Sequence, residues 1–160
     1  MTLRIGDTAP DFELTSSDGR ALHLADLKGK KNVVLYFYPG DFTLVCTRET
    51  CGFRDQYEAL RKLDTEVIGV SVDSNESHQK FAAAHEVQFA LVSDGERKLA
   101  EKYGANEGLL AKLRGVTKRV TYVIDKSGKI AGVFDSALRA GQHTDGVREC
   151  VEKLAGKSAI

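Results

Sequence analysis

Six consecutive residues, Val33-Val34-Leu35-Tyr36-Phe37-Tyr38, constrain the fold of this chain more than any other feature. They are apolar, β-branched or aromatic, and do not alternate with polar residues. That is the pattern of a strand buried on both faces. Such a strand needs helices on each side of its sheet, so an α/β architecture is expected. The run is far too short for a bilayer, which takes ~20 apolar residues in series. Pro39-Gly40 ends it, and segments of like character stand at 67–72 and 120–124. A further strand at 130–134 follows the turn Asp125-Lys126-Ser127-Gly128, which predicts an antiparallel hairpin, and 89–92 reads as one more short strand. Near the N-terminus, 12–14 and 21–24 flank Ser16-Ser17-Asp18-Gly19 as a small hairpin with an Asp-Gly turn.

Helical patterns fill the gaps. The stretch 43–63 carries apolar residues at 53, 57 and 60. Ser74 or Asn75 caps a helix reaching about 85, and Asp94 opens another that ends at Gly104. A last helix begins near Thr144, with Val147, Cys150, Val151 and Leu154 on one face. The stretch 105–118 has no readable pattern. With 160 residues, 42% of them apolar, the whole of 1–160 is expected to form one domain. Lys+Arg and Asp+Glu both number 23, so the excess positive charge of a nucleic-acid or membrane-surface protein is absent. Residues 1–7 lack the apolar segment of a signal peptide, and a cytoplasmic location is expected.

Three cysteines, an odd number, do not make a secreted disulfide scaffold in a chain of this size. Cys46 follows the buried strand and its Pro-Gly breaker, which places it in the first turn of the next helix. Unpaired amides and the positive end of the helix dipole stabilise a thiolate there. Cys51 is five residues on, ~140° around the helix and ~7.5 Å along it. The two Cα atoms are then ~8.5 Å apart, beyond disulfide reach while the helix is intact. Cys46 shares the stripe of Phe53, Tyr57 and Leu60 as a partly buried thiol, whereas Cys51 points away from it, toward solvent or a mobile edge, and is the more exposed. The pair also suits plain apolar filling of a helix. Zinc is disfavoured, since C-x4-C is not the usual C-x2-C knuckle and no second ligand pair follows. Cys150 lies in an amphipathic stripe and reads as structural.

The segment Pro39-Gly40-Asp41-Phe42-Thr43-Leu44-Val45-Cys46 resembles the P-x-x-x-T-x-x-C motif of the peroxiredoxins. Ala9-Pro10-Asp11-Phe12 resembles that family's opening signature. Tyr36-Phe37-Tyr38-Pro39 resembles the strand into its active-site loop, and Arg119-Val120-Thr121-Tyr122-Val123-Ile124-Asp125 the strand that presents its arginine. The resemblance implies a thioredoxin fold with an N-terminal hairpin extension, its central mixed sheet flanked by helices. It implies that Cys46 is the peroxidatic cysteine, that Thr43 hydrogen-bonds the peroxide, and that Pro39 shields the thiolate. Arg119 would stabilise the sulfur's charge and Glu49 would hold Arg119. The C-x4-C spacing resembles the bacterioferritin comigratory protein, or peroxiredoxin Q, subgroup, in which Cys51 would resolve Cys46 through an intramolecular disulfide. Leu44-Val45 departs from the Pro-Gly common there and is closer to the other two-cysteine branch. That branch's Val-Cys-Pro context is absent around Cys150.

The implied activity is reduction of hydrogen peroxide and organic hydroperoxides, with recycling by thioredoxin or a similar dithiol protein and no cofactor or metal. A monomer or weak homodimer is expected. A thiol–disulfide exchanger on the same fold is the alternative, although that chemistry usually employs C-x-x-C; a non-catalytic redox sensor is another. Gly156-Lys157-Ser158 is no phosphate loop, because Val151 stands where the first glycine belongs. His78 and His85 are ~10.5 Å apart along one helix, too far for one metal. His143, ahead of the last helix, reads as a surface residue.

Overall fold

A computed structural model describes residues 3–41, 44–107, 113, 115, 117–135 and 140–158. The continuous apolar run is the middle strand of a five-stranded mixed sheet, as its burial pattern requires. Strands β3 (Asn32–Phe37), β4 (Thr65–Ser71), β5 (Ala90–Ser93), β6 (Val120–Ile124) and β7 (Ile130–Phe134) lie in the order β5-β4-β3-β6-β7. β3 is parallel to β4 and antiparallel to β6, β4 is parallel to β5, and β6 and β7 form the expected hairpin. Strands β1 (Glu13–Thr15) and β2 (Ala21–His23) make the separate N-terminal hairpin. A single turn of helix, α1 (Leu24–Leu27), follows where the sequence suggested the end of a strand.

Alternate residues of β3 feed two different cores, which is why the run does not alternate. Val33, Leu35 and Phe37 pack with Phe12, Leu24, Leu99 and Tyr103 on one face. Val34, Tyr36 and Tyr38 pack on the other with residues of the remaining helices. Those helices are α2 (Leu44–Lys62), α3 (Asn75–His85) and α5 (Ala140–Ser158). Helix α4 (Lys98–Tyr103) belongs to the first face.

Local signals mostly hold. Ser74 caps α3 by accepting from the Ser77 amide. Asp94 accepts from the amides of Leu99 and Ala100, so α4 starts after it rather than at it. Gly104 ends α4 with φ 72°. Helix α5 starts a turn before Thr144, because only its apolar stripe, and no strong cap, was visible in the sequence. Several close approaches depend on glycine, and two of them bear on the site. A Cβ on Gly69 would stand 2.6 Å from the Tyr36 hydroxyl, and one on Gly52 would stand 2.6 Å from Thr144 Cγ2. Helices α2 and α5 therefore meet backbone to side chain beside Cys51.

Candidate active site

Cys46 is the third residue of α2, in its first turn. Its side chain is 0% exposed, more deeply buried than the partly buried thiol expected. Phe53, Tyr57 and Leu60 continue the same buried stripe. Tyr36 of β3 lies beneath, stacked on Tyr38 and 4.9 Å from Phe53, with its hydroxyl 3.0 Å from Thr50 Oγ1.

Arg119 immediately precedes β6. It shares a sheet face with Thr121, two residues on, and so faces α2 and α5. Its Nη2 donates to Cys46 Sγ at 2.9 Å and its Nη1 to Glu49 Oε1 at 3.0 Å. Both partners of the Arg119–Glu49 pair are buried, at 4% and 0% side-chain exposure. Burial pushes the Glu49 carboxyl up, Arg119 pulls it down, and the balance leaves it at about 7 instead of 4.5. An isolated ion pair this deep would be costly to desolvate. A negatively charged sulfur on the other side of Arg119 gives the guanidinium a second anionic partner. The Arg119 guanidinium is thus placed to bridge Cys46 Sγ and Glu49 Oε1.

Pro39 follows β3 and is half-buried. The carbonyl just before it, that of Tyr38, accepts from Thr117 Oγ1 at 2.7 Å, which ties the Pro39 segment to the approach to Arg119. Thr43 lies outside the described residues. Cys51 is half-buried, more exposed than Cys46, and is followed by Gly52, which meets Thr144 of α5. All three cysteines are free thiols. Helix α2 is intact through both Cys46 and Cys51, so the ~8.5 Å separation of their Cα atoms stands. Cys150 is half-buried at the rim of the second core, its thiol 3.6 Å from the Ala131 carbonyl, and is not part of this cluster.

Two buried groups escaped the sequence reading. Asp41 accepts from the Tyr38 hydroxyl at 2.7 Å and Ser77 Oγ at 2.8 Å, and pairs with His78 Nδ1 at 2.8 Å. Burial pushes the Asp41 carboxyl up, but the His78 and Tyr38 bonds outweigh it and hold it below its ordinary value. The Asp41 amide donates to Asp73, just ahead of α3, so together with Ser77 and His78 the Asp41 position is held against α3 and its entry. His143, read from the sequence as a surface residue, is 0% exposed and 3.1 Å from Glu49. It lies in the turn of α5 that precedes the apolar stripe and meets Glu49 and Thr121. No periodicity marks that turn, and sequence patterning therefore missed it.

Among the described residues no cluster of His, Cys, Asp and Glu fits a metal, and no helix is long and apolar enough to cross a membrane. A buried, cation-paired thiol at a helix start suits nucleophilic attack by sulfur. A family model described as the AhpC/TSA family matches residues 5–133. The chain is 40% identical over 149 residues to the chloroplastic peroxiredoxin Q of Sedum lineare, covering 93% of this chain and 78% of that one. It is 44% identical over 133 residues to peroxiredoxin Bcp of Bacillus subtilis, covering 81% and 83% respectively. The crystal structure of peroxidoxin BcpB from Mycobacterium tuberculosis superimposes with a TM-score of 0.84 at 33% identity, over 94% of this chain and 97% of that one.

Proposed function

The chain belongs to the AhpC/TSA family and is a thiol-dependent peroxidase with that family's thioredoxin fold, and from this premise we propose how its own residues perform the reaction. Cys46 is the attacking sulfur. The observation that carries the reading is the buried guanidinium of Arg119, bonded at once to Cys46 Sγ and to Glu49. As a thiolate, Cys46 attacks the terminal peroxide oxygen and displaces the other: a sulfur–oxygen bond forms, the oxygen–oxygen bond breaks, and the leaving oxygen takes up a proton as water or alcohol. Cys46 is left as a sulfenic acid. Arg119, the helix-start amides and the Thr43 hydroxyl supply donors where negative charge develops. Pro39 covers the sulfur.

Cys51 then attacks the sulfenic sulfur and water leaves as the disulfide forms. The intact helix keeps the pair beyond bonding distance, so the first turns of α2 must unwind for this step. A dithiol protein such as thioredoxin returns both thiols by exchange. Hydrogen peroxide and organic hydroperoxides are the substrates. An odd count of three cysteines in a chain of this size fits a reducing, cytoplasmic setting. The balanced charge of the chain fits small uncharged oxidants, which need no long-range electrostatic steering.

A disulfide map after one equivalent of peroxide tests the scheme. A Cys46–Cys51 bridge is expected, and a bridge to Cys150 overturns the assignment of the resolving thiol. Cys46→Ser is expected to abolish turnover. Cys51→Ser is expected to complete one oxidation and stall with thioredoxin, and normal recycling there removes Cys51 from the mechanism.

A further inference from the structure

The two carboxylate oxygens of Glu49 are treated unequally. Oε1 accepts from Arg119 at 3.0 Å. Among the described residues Oε2 has no aligned hydrogen-bond donor, yet His143 Nδ1 stands 3.1 Å from it with both side chains 0% exposed. The same Nδ1 is 2.8 Å from Thr121 Oγ1. A buried carboxylate oxygen without a donor disfavours the ionised form of its group. A protonated Nδ1 resting between the two oxygens is therefore the donor that small motions of the ring deliver to Oε2.

We propose that His143 is a positioning residue of the peroxidase site: its Nδ1–H, shared between Thr121 Oγ1 and Glu49 Oε2, favours the ionised form of Glu49 and turns it so that Oε1 anchors Arg119 against Cys46. This rests on the reading of Cys46 as the attacking sulfur. The packing of the two helices supports it independently. Thr144, the next residue of α5, lies so close to Gly52 of α2 that a Cβ would come within 2.6 Å of its methyl, and this holds the His143 ring over Glu49. The titratable groups facing the cluster are Cys46 and Glu49 from α2, Arg119 from β6 and Tyr36 from β3. Burial raises the Tyr36 hydroxyl well above its ordinary value, so it stays neutral. Glu49 also lies between Cys46 and Cys51 in sequence. Unwinding of α2 toward the disulfide withdraws it from His143 and Arg119 together, and reduction restores both contacts.

Single-turnover peroxide consumption between about pH 6 and 9 tests this in the wild type, His143→Leu, His143→Gln and Glu49→Gln, with thermal melts as the folding control. The Leu variant is expected to run roughly tenfold below wild type near neutral pH and to recover at alkaline pH, where Glu49 ionises unaided. The Gln variant, whose amide can donate to Oε2, is expected to stay close to wild type. Glu49→Gln is expected to be slow at every pH, with no alkaline recovery. A Leu profile parallel to wild type, or a Gln variant no better than Leu, overturns the proposal. An inactive wild type instead overturns the reading of Cys46. Should the Leu variant not fold, the wild type carries the test: nitrogen-15 shifts of the imidazole at about pH 8 are expected to show a proton on Nδ1, and a bare Nδ1 overturns the proposal.

Discussion

Replacing Arg119 by Met keeps the aliphatic stem of the side chain and removes both bonds of the guanidinium, at 2.9 Å to Cys46 Sγ and 3.0 Å to Glu49 Oε1. Hydrogen bonds to charged groups contribute about 1.5–3 kcal/mol each. Loss of about 2 kcal/mol at the sulfur slows peroxide consumption roughly 30-fold at neutral pH. The effect on stability has a sign that can be worked out from Glu49. Its folded carboxyl sits at about 7 against an ordinary 4.5, with Arg119 opposing the upward push of burial. Between those two values the folded protein holds a proton that the unfolded chain has lost, so wild-type stability falls as pH rises through that window and levels off above it. Without Arg119 the folded value climbs further. The variant should then go on losing about 1.4 kcal/mol per pH unit above pH ~7, where the wild type is flat. Urea unfolding at several pH values between about 6 and 9, paired with stopped-flow peroxide consumption, reads both effects. Stability curves that stay parallel above neutral pH, or a rate within about twofold of wild type, would refute the role given to the guanidinium.

Three further outcomes follow from particular contacts. Gly69→Ala places a methyl 2.6 Å from the Tyr36 hydroxyl and 2.8 Å from Leu91 Cδ2, and should cost about 1–3 kcal/mol in chemical unfolding as the core overpacks. Asp41→Asn breaks the pair with buried His78, at 0% and 1% side-chain exposure, and should lower stability by about 3 kcal/mol while slowing peroxide attack through the loosened loop; calorimetry and single-turnover kinetics read the two effects. Asp94→Ala removes the acceptor of the Leu99 and Ala100 amides, far from Cys46. It should lower stability by about 1 kcal/mol and leave the peroxide rate unchanged.

Where the chain signals its structure through local chemistry, the sequence was sufficient. Strand β3 is apolar on both faces because each face meets a different core, and no other element could accommodate those six residues in water. Ser74 and Gly104 mark helix ends because a hydroxyl and a residue free to take φ 72° are needed at those two places. Cys46 in the first turn of α2 follows from the breaker before it. The segment that carries Arg119 and the two-cysteine spacing were legible for the same reason: each lies within a few residues of a recognisable motif.

Burial by distant segments was not legible. Cys46 appeared partly covered because its own helix says nothing of Tyr36 and Arg119, which pack around it from the sheet. Cys51 is more exposed than Cys46 and Cys150 packs at the rim of the second core, as helical bookkeeping expects, but how far each is covered was not readable from its own helix. Helical angle alone does not reveal how closely Gly52 lets α5 approach. His143 and His78 illustrate the limit best. Each is a histidine on an unremarkable stretch of sequence, and each becomes a buried partner of a carboxylate on another element, 94 residues away for Glu49 and 37 for Asp41. Short-range patterning determined the sheet, the helices and the position of the nucleophile. Only the tertiary structure decided which charges share one dry space, because desolvation depends on every segment packed around a group and not on its neighbours along the chain.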